Sequence, residues 1–293
     1  MSRPIVPFAL PVNLVVSVSG GETSMMMAHW LRENAPQHYR LVFLFANTGE
    51  EREETLKFIN RCSVEWRMPI VWLEAVVHKG KKACTHKVVS FKKALRKGEP
   101  FEKMLAKYAI SNNSYPHCTR ELKLNPILHY MKKHHLKNAW RGVGIREDEN
   151  HRKAIGATNN KIVYPFIDWV RITKKDVKKF WSSQTFNLGL DEHEGNCKWC
   201  WKKSDRKLFT LIQDRPDDFI FPANMEKKYG MLRPREDGSP QVFYRKHRNT
   251  KDMINQATNE KFTRFTEPDW SYDDELDLGG SCGDTECEPF LIE

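Results

Sequence analysis

The 293-residue chain has no apolar run approaching the 18 residues that a membrane-crossing helix needs, so a membrane partner is not expected. It lacks the GxGxxG spacing of a dinucleotide fold, and no Lys follows a second Gly as in GxxxxGK[ST]. The apolar start is broken by Pro7 and Pro11 and runs into Gly20-Gly21 instead of a small-residue cleavage site, which argues against a secretory leader. Seven cysteines, an odd number, point to a reducing, cytoplasmic setting in which metal or redox chemistry is a better default than disulfides. The last stretch, from Thr266 onward, has no Lys or Arg at all but ten acids. Against a formal net charge of +10, the remainder therefore stands at +20. A basic body with an acidic tail suggests a polyanionic partner, a nucleic acid among the candidates, or a tail that competes for the same surface. A solvated tail that aids solubility is the plainer alternative.

What is present reads first as alternating strand and helix. Asn13–Val18, Leu41–Ala46 and Ile70–Leu73 are short, β-branched or aromatic runs of the kind buried in parallel sheets. Helices are expected after Thr23 or Ser24 as cap, and over 51–62 with acids in the first turn. Further strands are expected at 139–144 and 161–166, and a helix from Thr173 through Trp181. Residues 79–137 read as helical and basic. This order predicts an α/β, Rossmann-like (HUP-type) parallel sheet with helices on both faces over 1–190. A Cys/Trp/Lys-rich region over 191–264 and an acidic tail over 265–293 follow.

Ser19-Gly20-Gly21-Glu22-Thr23-Ser24 joins the first strand to its helix. Paired glycines allow positive φ and let a phosphate approach main-chain amides with no Cβ in the way. The helix N-terminus adds donors and a favourable field. A tight strand–helix turn with no ligand is the competing reading of the loop taken alone.

This loop resembles the PP-loop of the adenine-nucleotide alpha-hydrolase superfamily, which includes ATP pyrophosphatases and the phosphoadenosine phosphosulfate (PAPS) reductases. The likeness continues in order through Asn47-Thr48-Gly49 with Glu53-Glu54-Thr55, and His117-Cys118-Thr119-Arg120-Glu121-Leu122-Lys123 with Pro126. It goes on through Gly144-Ile145-Arg146 to Arg152, Tyr164–Trp169 and Asn196-Cys197-Lys198-Trp199-Cys200. The resemblance implies that Ser19, Gly20, Gly21, Glu22, Thr23 and Ser24 hold pyrophosphate or a nucleotide phosphate. It implies that Asn47 and Thr48 meet adenine or ribose. It further implies that Arg146 and Arg152 act on the anion bidentately, with Arg120 and Lys123 in reach. Gly20-Gly21 is the fuller loop and resembles enzymes that split ATP into AMP and pyrophosphate. The acid usual in that loop is Thr23 here, which bears on magnesium.

Cys197-x-x-Cys200 has the spacing of a two-ligand chelate. Cys118 stands in the block that carries cluster ligands in iron–sulfur sulfonucleotide reductases, but preceded by His117 instead of a second Cys. Cys118, Cys197 and Cys200 are therefore the expected metal ligands, for a [4Fe–4S] cluster open at one corner or for zinc, with no metal as the third option. Cys84, Cys282 or Cys287 is available as a fourth ligand. Glu286-Cys287-Glu288 partly resembles the tail motif of assimilatory reductases, which makes Cys287 a candidate nucleophile.

Three functions remain open on these residues. The first is an ATP-cleaving enzyme that activates a substrate for sulfur transfer to a nucleic acid, drawing on a sulfur donor. The second is a reductase of PAPS or adenylyl sulfate (APS) served by a thiol reductant. The third is a non-catalytic nucleotide-binding or nucleic-acid-binding module.

Overall fold

The computed structural model describes residues 11–266. At its centre is a six-stranded sheet in the order β4-β3-β2-β1-β5-β6. The strands are β1 (Val12–Ser17), β2 (Tyr39–Asn47), β3 (Ile70–Val76), β4 (Thr85–Val89), β5 (Trp140–Gly142) and β6 (Ile162–Val163). β1 pairs in parallel with β2 and β5, with Leu14 opposite Leu41 and Val16 opposite Gly142. β2–β3 and β5–β6 are also parallel, and only β4 runs antiparallel, against β3.

Period-two alternation sorts the strand side chains into two cores. Leu14, Val16, Phe43, Phe45, Ile70 and Trp72 face α1 (Glu22–Asn34), α2 (Glu53–Glu65) and α5 (Lys174–Ser182), meeting Met25, Leu31, Leu56, Ile59 and Trp181. Val15, Leu44, Ala46 and Leu73 face the other way, onto Ile127, Tyr130 and Met131 of α4 (Asn125–Lys133). Helices on both faces are why the central strands read as unbroken apolar runs. The expected Rossmann-like α/β architecture is thus present, as a mostly parallel sheet.

One expectation changes. Residues 79–137 are not helical throughout: they contain β4 before α3 (Glu99–Tyr108) and α4. Thr85-His86-Lys87-Val88-Val89 is a short edge strand with Lys87 and Val88 exposed, and its charge hides the strand pattern. Side chains from the two sides of 190/191 pack together. A third cluster joins Phe101, Met104 and Leu105 of α3 to Leu208, Leu211 and Met253, which belong to α6 (Asp205–Asp214) and α8 (Thr250–Asn259). Met225 of α7 (Ile220–Tyr229) completes it.

Candidate functional site: a phosphate-sized cleft at the end of β1

Val18, one residue past β1, still donates to Leu44 O at 2.9 Å, so the loop begins at Ser19. Gly20 then turns the chain with φ +89°. A Cβ at Gly20 would stand 2.6 Å from Thr55 Cγ2 and 2.8 Å from Ile59 Cδ1, so the loop is pressed against α2. Gly21 is different. It is extended (φ −83°, ψ 160°), and it caps α1 with its backbone alone. The expected cap at Thr23 or Ser24 is therefore corrected: both lie inside the first turn. Ser24 instead locks the loop, its Oγ donating to Gly21 O at 3.0 Å while accepting from Ser19 N (3.2 Å) and Ser19 Oγ (3.0 Å).

The loop opens onto a cleft of about 190 Å³ walled by α1, the end of β5, α5 and residues 188–196. Ser19, Gly21, Glu22, Thr23 and Ser24 line it, together with Gly144, Arg146, Glu149, Lys174, Lys178 and Asn196. The N–H groups of a helix's first turn have no partner inside the helix, so those of α1 are available to an anion in this cleft. Gly144 lets β5 and α1 meet, since a Cβ there would lie 3.0 Å from Ser24 Cα.

Arg146 is aimed across the loop. Its guanidinium donates to Thr23 Oγ1 at 3.2 Å and to Asp148 Oδ1 at 3.1 Å, and pairs with Glu149 Oε1 at 3.2 Å. Glu149 also holds Arg152 at 2.6 Å and accepts from Arg146 N at 3.0 Å. Arg152 is buried behind this pair and is not among the residues lining the cleft. On the opposite wall Glu192 ties Lys174 (2.6 Å) and Lys178 (4.0 Å). The lining thus mixes cations with carboxylates, each pair close enough to re-partner around an incoming charge.

Asn47, Thr48, Arg120 and Lys123 lie outside the cleft lining. The Asn47 amide donates to Glu74 Oε1 (2.7 Å) and Leu95 O (2.9 Å), and the Thr48 hydroxyl to Glu51 Oε1 (2.8 Å). Both residues are buried and shape the turn after β2. Arg120 pairs with Glu121 at 2.9 Å on the π-helical turn Cys118–Leu124, which also carries Lys123.

The cysteine segment serves the cleft by position. Residues 196–198 run beside 50–52, with Arg52 N donating to Asn196 O (2.9 Å) and Lys198 N to Glu50 O (3.1 Å). This sets the Asn196 amide against the phosphate loop, where it donates to Ser19 O at 3.2 Å. Trp199, buried, donates to Glu50 Oε2 at 2.6 Å, and burial pushes the Glu50 carboxyl up to about 7. Lys203 Nζ bonds Cys197 O at 2.9 Å.

Among the described residues no three Cys, His, Asp or Glu side chains are grouped to hold a metal ion. Cys118 and Cys197, half-buried, and Cys200, buried, form no disulfide and belong to no such group. Cys84 does not complete the set: it is buried against Glu121 and Tyr108, and burial followed by the Glu121 charge drives its thiol up to about 12. Cys282 and Cys287 lie outside the described residues.

Residues 13–185 match the phosphoadenosine phosphosulfate reductase domain. The chain belongs to that family. It is 30% identical over 208 residues to the nin region protein ORF290 of Escherichia phage lambda, itself uncharacterized, across 68% of this chain and 69% of that one. Among solved structures it is similar to a phosphoadenylyl-sulfate (PAPS) reductase from Candida auris in complex with phosphate. That likeness has 15% identity and a TM-score of 0.36, over 60% of this chain and 73% of the other. Lys174, Lys178 and Glu192 are among the cleft residues that the motifs did not single out, and Asn196 entered only as the first residue of a cysteine block, with no role of its own. The one available signal was the place of Asn196 directly before Cys197.

Proposed function

We propose that this PAPS-reductase-family chain is an enzyme that binds an adenine nucleotide with its phosphates in the cleft between Gly20–Ser24 and Arg146. Its reaction is cleavage of ATP at the α-phosphate. The carrying observation is the loop itself: Gly20 at φ +89° and Gly21 at the helix cap leave main-chain amides bare of side chains, with a guanidinium facing them. In this reading the β- and γ-phosphates sit on the α1 N-terminus, where amide donors and the helix field favour negative charge. An acceptor oxygen attacks the α-phosphorus, the bond from that phosphorus to the bridging oxygen breaks, and pyrophosphate leaves with the electron pair. Arg146 changes partners from Asp148 and Thr23 to the phosphate oxygens, stabilising charge as it builds. ATP enters as its magnesium complex, which suits a lining that carries Glu22 beside the cations, because magnesium on phosphates needs only one or two protein carboxylates. The adenylated product is then open to displacement of AMP by a sulfur donor, and the basic body favours a nucleic acid as the activated acceptor.

Incubation with α-labelled ATP and polyanionic acceptors should release labelled AMP and pyrophosphate. Absence of turnover with every acceptor, alongside tight ATP binding, would favour a non-catalytic module. The family match supports a second reading, reduction of PAPS or APS to sulfite. That reaction calls on the tail thiol Cys287 as nucleophile and a thiol reductant to regenerate it. Sulfite release that survives Cys287→Ser and Cys282→Ser eliminates the tail-thiol mechanism, and absence of sulfite from the wild type with either sulfonucleotide eliminates the reading.

A further inference from the structure

The sheet edge farthest from β6 gathers positive charge from three separate stretches of chain. The loop after β3 exposes Lys79, Lys81 and Lys82, and the end of α4 exposes Lys132, Lys133 and His134. Between them lie two imidazoles, His86 on β4 and His129 on α4, with Nδ1 atoms 2.8 Å apart, one ring donating to the other. His86 lies 4.7 Å from His129 and 6.4 Å from His134, ring centre to ring centre. Both rings are held toward the neutral form. Burial lowers His86 to about 4, with His129, Lys133 and His134 adding to it. Burial also lowers His129, followed by Lys133, Lys81, Lys132 and His78. The charges acting on these rings are thus all of one sign and come from the loop and the helix together.

The patch is built, not a spray of loose side chains. Tyr108 Oη donates to Lys82 O at 2.7 Å, Lys107 Nζ donates to Lys81 O, and Cys84 N is held by Glu121 at 3.1 Å. His78 Nε2 sits 2.6 Å from Thr85 Oγ1. The loop 77–84 leaves the C-terminal end of β3, the same end of the parallel sheet at which the phosphate loop leaves β1. β4 is three strand positions from β1, about 14 Å across the sheet.

We infer that the edge formed by the loop 77–84, β4 and α4 is the docking surface for the sugar-phosphate backbone of a nucleic acid. Lys81, Lys132, Lys133, His129 and His86 contact the phosphates. Clustered lysines neutralise backbone phosphates and release counterions. The imidazole pair adds directed N–H donors at the centre of the patch. A lipid surface fits less well, because Val88 is the large apolar side chain exposed on this edge and no exposed ring from these segments is available to enter a headgroup layer. The inference rests on the reading of a nucleic acid as the activated acceptor: a strand held here lies within reach of the cleft.

The test is anisotropy of an end-labelled oligodeoxynucleotide titrated with the full chain at several salt concentrations, for wild type and for Lys81→Glu/Lys132→Glu/Lys133→Glu. A milder set with Gln at the three positions is run beside it. ATP affinity is measured on every protein. The expected result is a loss of oligonucleotide affinity of about 100-fold or more at low salt. A salt slope shallower by about two to three in the Gln set is also expected, with ATP affinity unchanged. Equal oligonucleotide binding by wild type and both variant sets overturns the surface, as does wild-type binding to phosphatidylserine vesicles without binding to the oligonucleotide. Failure of wild type to bind ATP, with lysine-dependent oligonucleotide binding intact, defeats the nucleotide reading and leaves this surface standing.

Discussion

Replacing Gly20 and Gly21 separately by alanine should give two different phenotypes, although the residues are adjacent and alike in sequence. At φ +89° an alanine at position 20 pays about 1–2 kcal/mol for the left-handed backbone. Its Cβ would also meet Thr55 Cγ2 at 2.6 Å and Ile59 Cδ1 at 2.8 Å, inside the packed seam between β1 and α2. Relieving that overlap costs about 1–3 kcal/mol. Loss of glycine's freedom in the unfolded chain returns about 0.4–1 kcal/mol. The net destabilisation is then about 1–4.6 kcal/mol, against the roughly 5–15 kcal/mol typical of a folded domain. Gly21 has ordinary extended angles, and its added Cβ would press on the Asn196 amide at 3.3 Å, with Ser19 Oγ at an ordinary contact distance of 3.9 Å. Gly21→Ala should stay within about 1 kcal/mol of wild type. It should nevertheless weaken nucleotide binding about five- to tenfold by displacing the Asn196 bond to Ser19 and crowding the amides. Urea unfolding at equilibrium gives the first quantity and calorimetric titration with ATP the second. A Gly20→Ala protein as stable as wild type would refute the strain argument. A Gly21→Ala protein with full ATP affinity would refute the use of that loop for phosphate.

Other outcomes follow from the same geometry. Arg146→Gln should lower ATP affinity by about 1.5–3 kcal/mol, because a charged donor is lost, with little change in melting temperature; unchanged binding by titration would remove Arg146 from the site. Glu50, raised by burial to about 7, favours folding in its protonated form, so its contribution is full below about pH 4.5 and is lost as pH rises through about 7. Glu50→Gln should therefore flatten the stability profile over that window and gain on the order of 3 kcal/mol at pH 8; a profile by urea unfolding that keeps its slope contradicts this. Because Cys118, Cys197 and Cys200 are not grouped as ligands, incubation with a strong chelator should leave the melting temperature unchanged; a fall of several degrees, or charge-transfer absorption tied to those thiols, would show otherwise.

Much of the sheet was legible from the chain alone. Val15-Val16, Phe43-Leu44-Phe45 and Trp72-Leu73 are apolar on both parities because helices cover both faces, and that pattern needs no coordinates to be read. Gly20-Gly21 before Thr23-Ser24 likewise announced a loop that tolerates a close ligand. β4 was not legible, because an edge strand is covered less completely: Lys87 and Val88 lie on opposite faces and both are exposed. The division of labour between Gly20 and Gly21 was not legible either: it depends on Thr55 and Ile59, which arrive from α2. Asn47 and Thr48 matched a motif yet turn inward, because the carboxylates of Glu74 and Glu51 bind them first. Asn196 reached the phosphate loop from 177 residues away, through backbone pairing with residues 50–52. Local composition determined which segments form strands and where the chain turns on paired glycines. Which side chains line the cleft at that turn, and whether three cysteines meet, was decided by long-range packing, since contacts between distant segments are set by how whole elements fit and leave no trace in spacing.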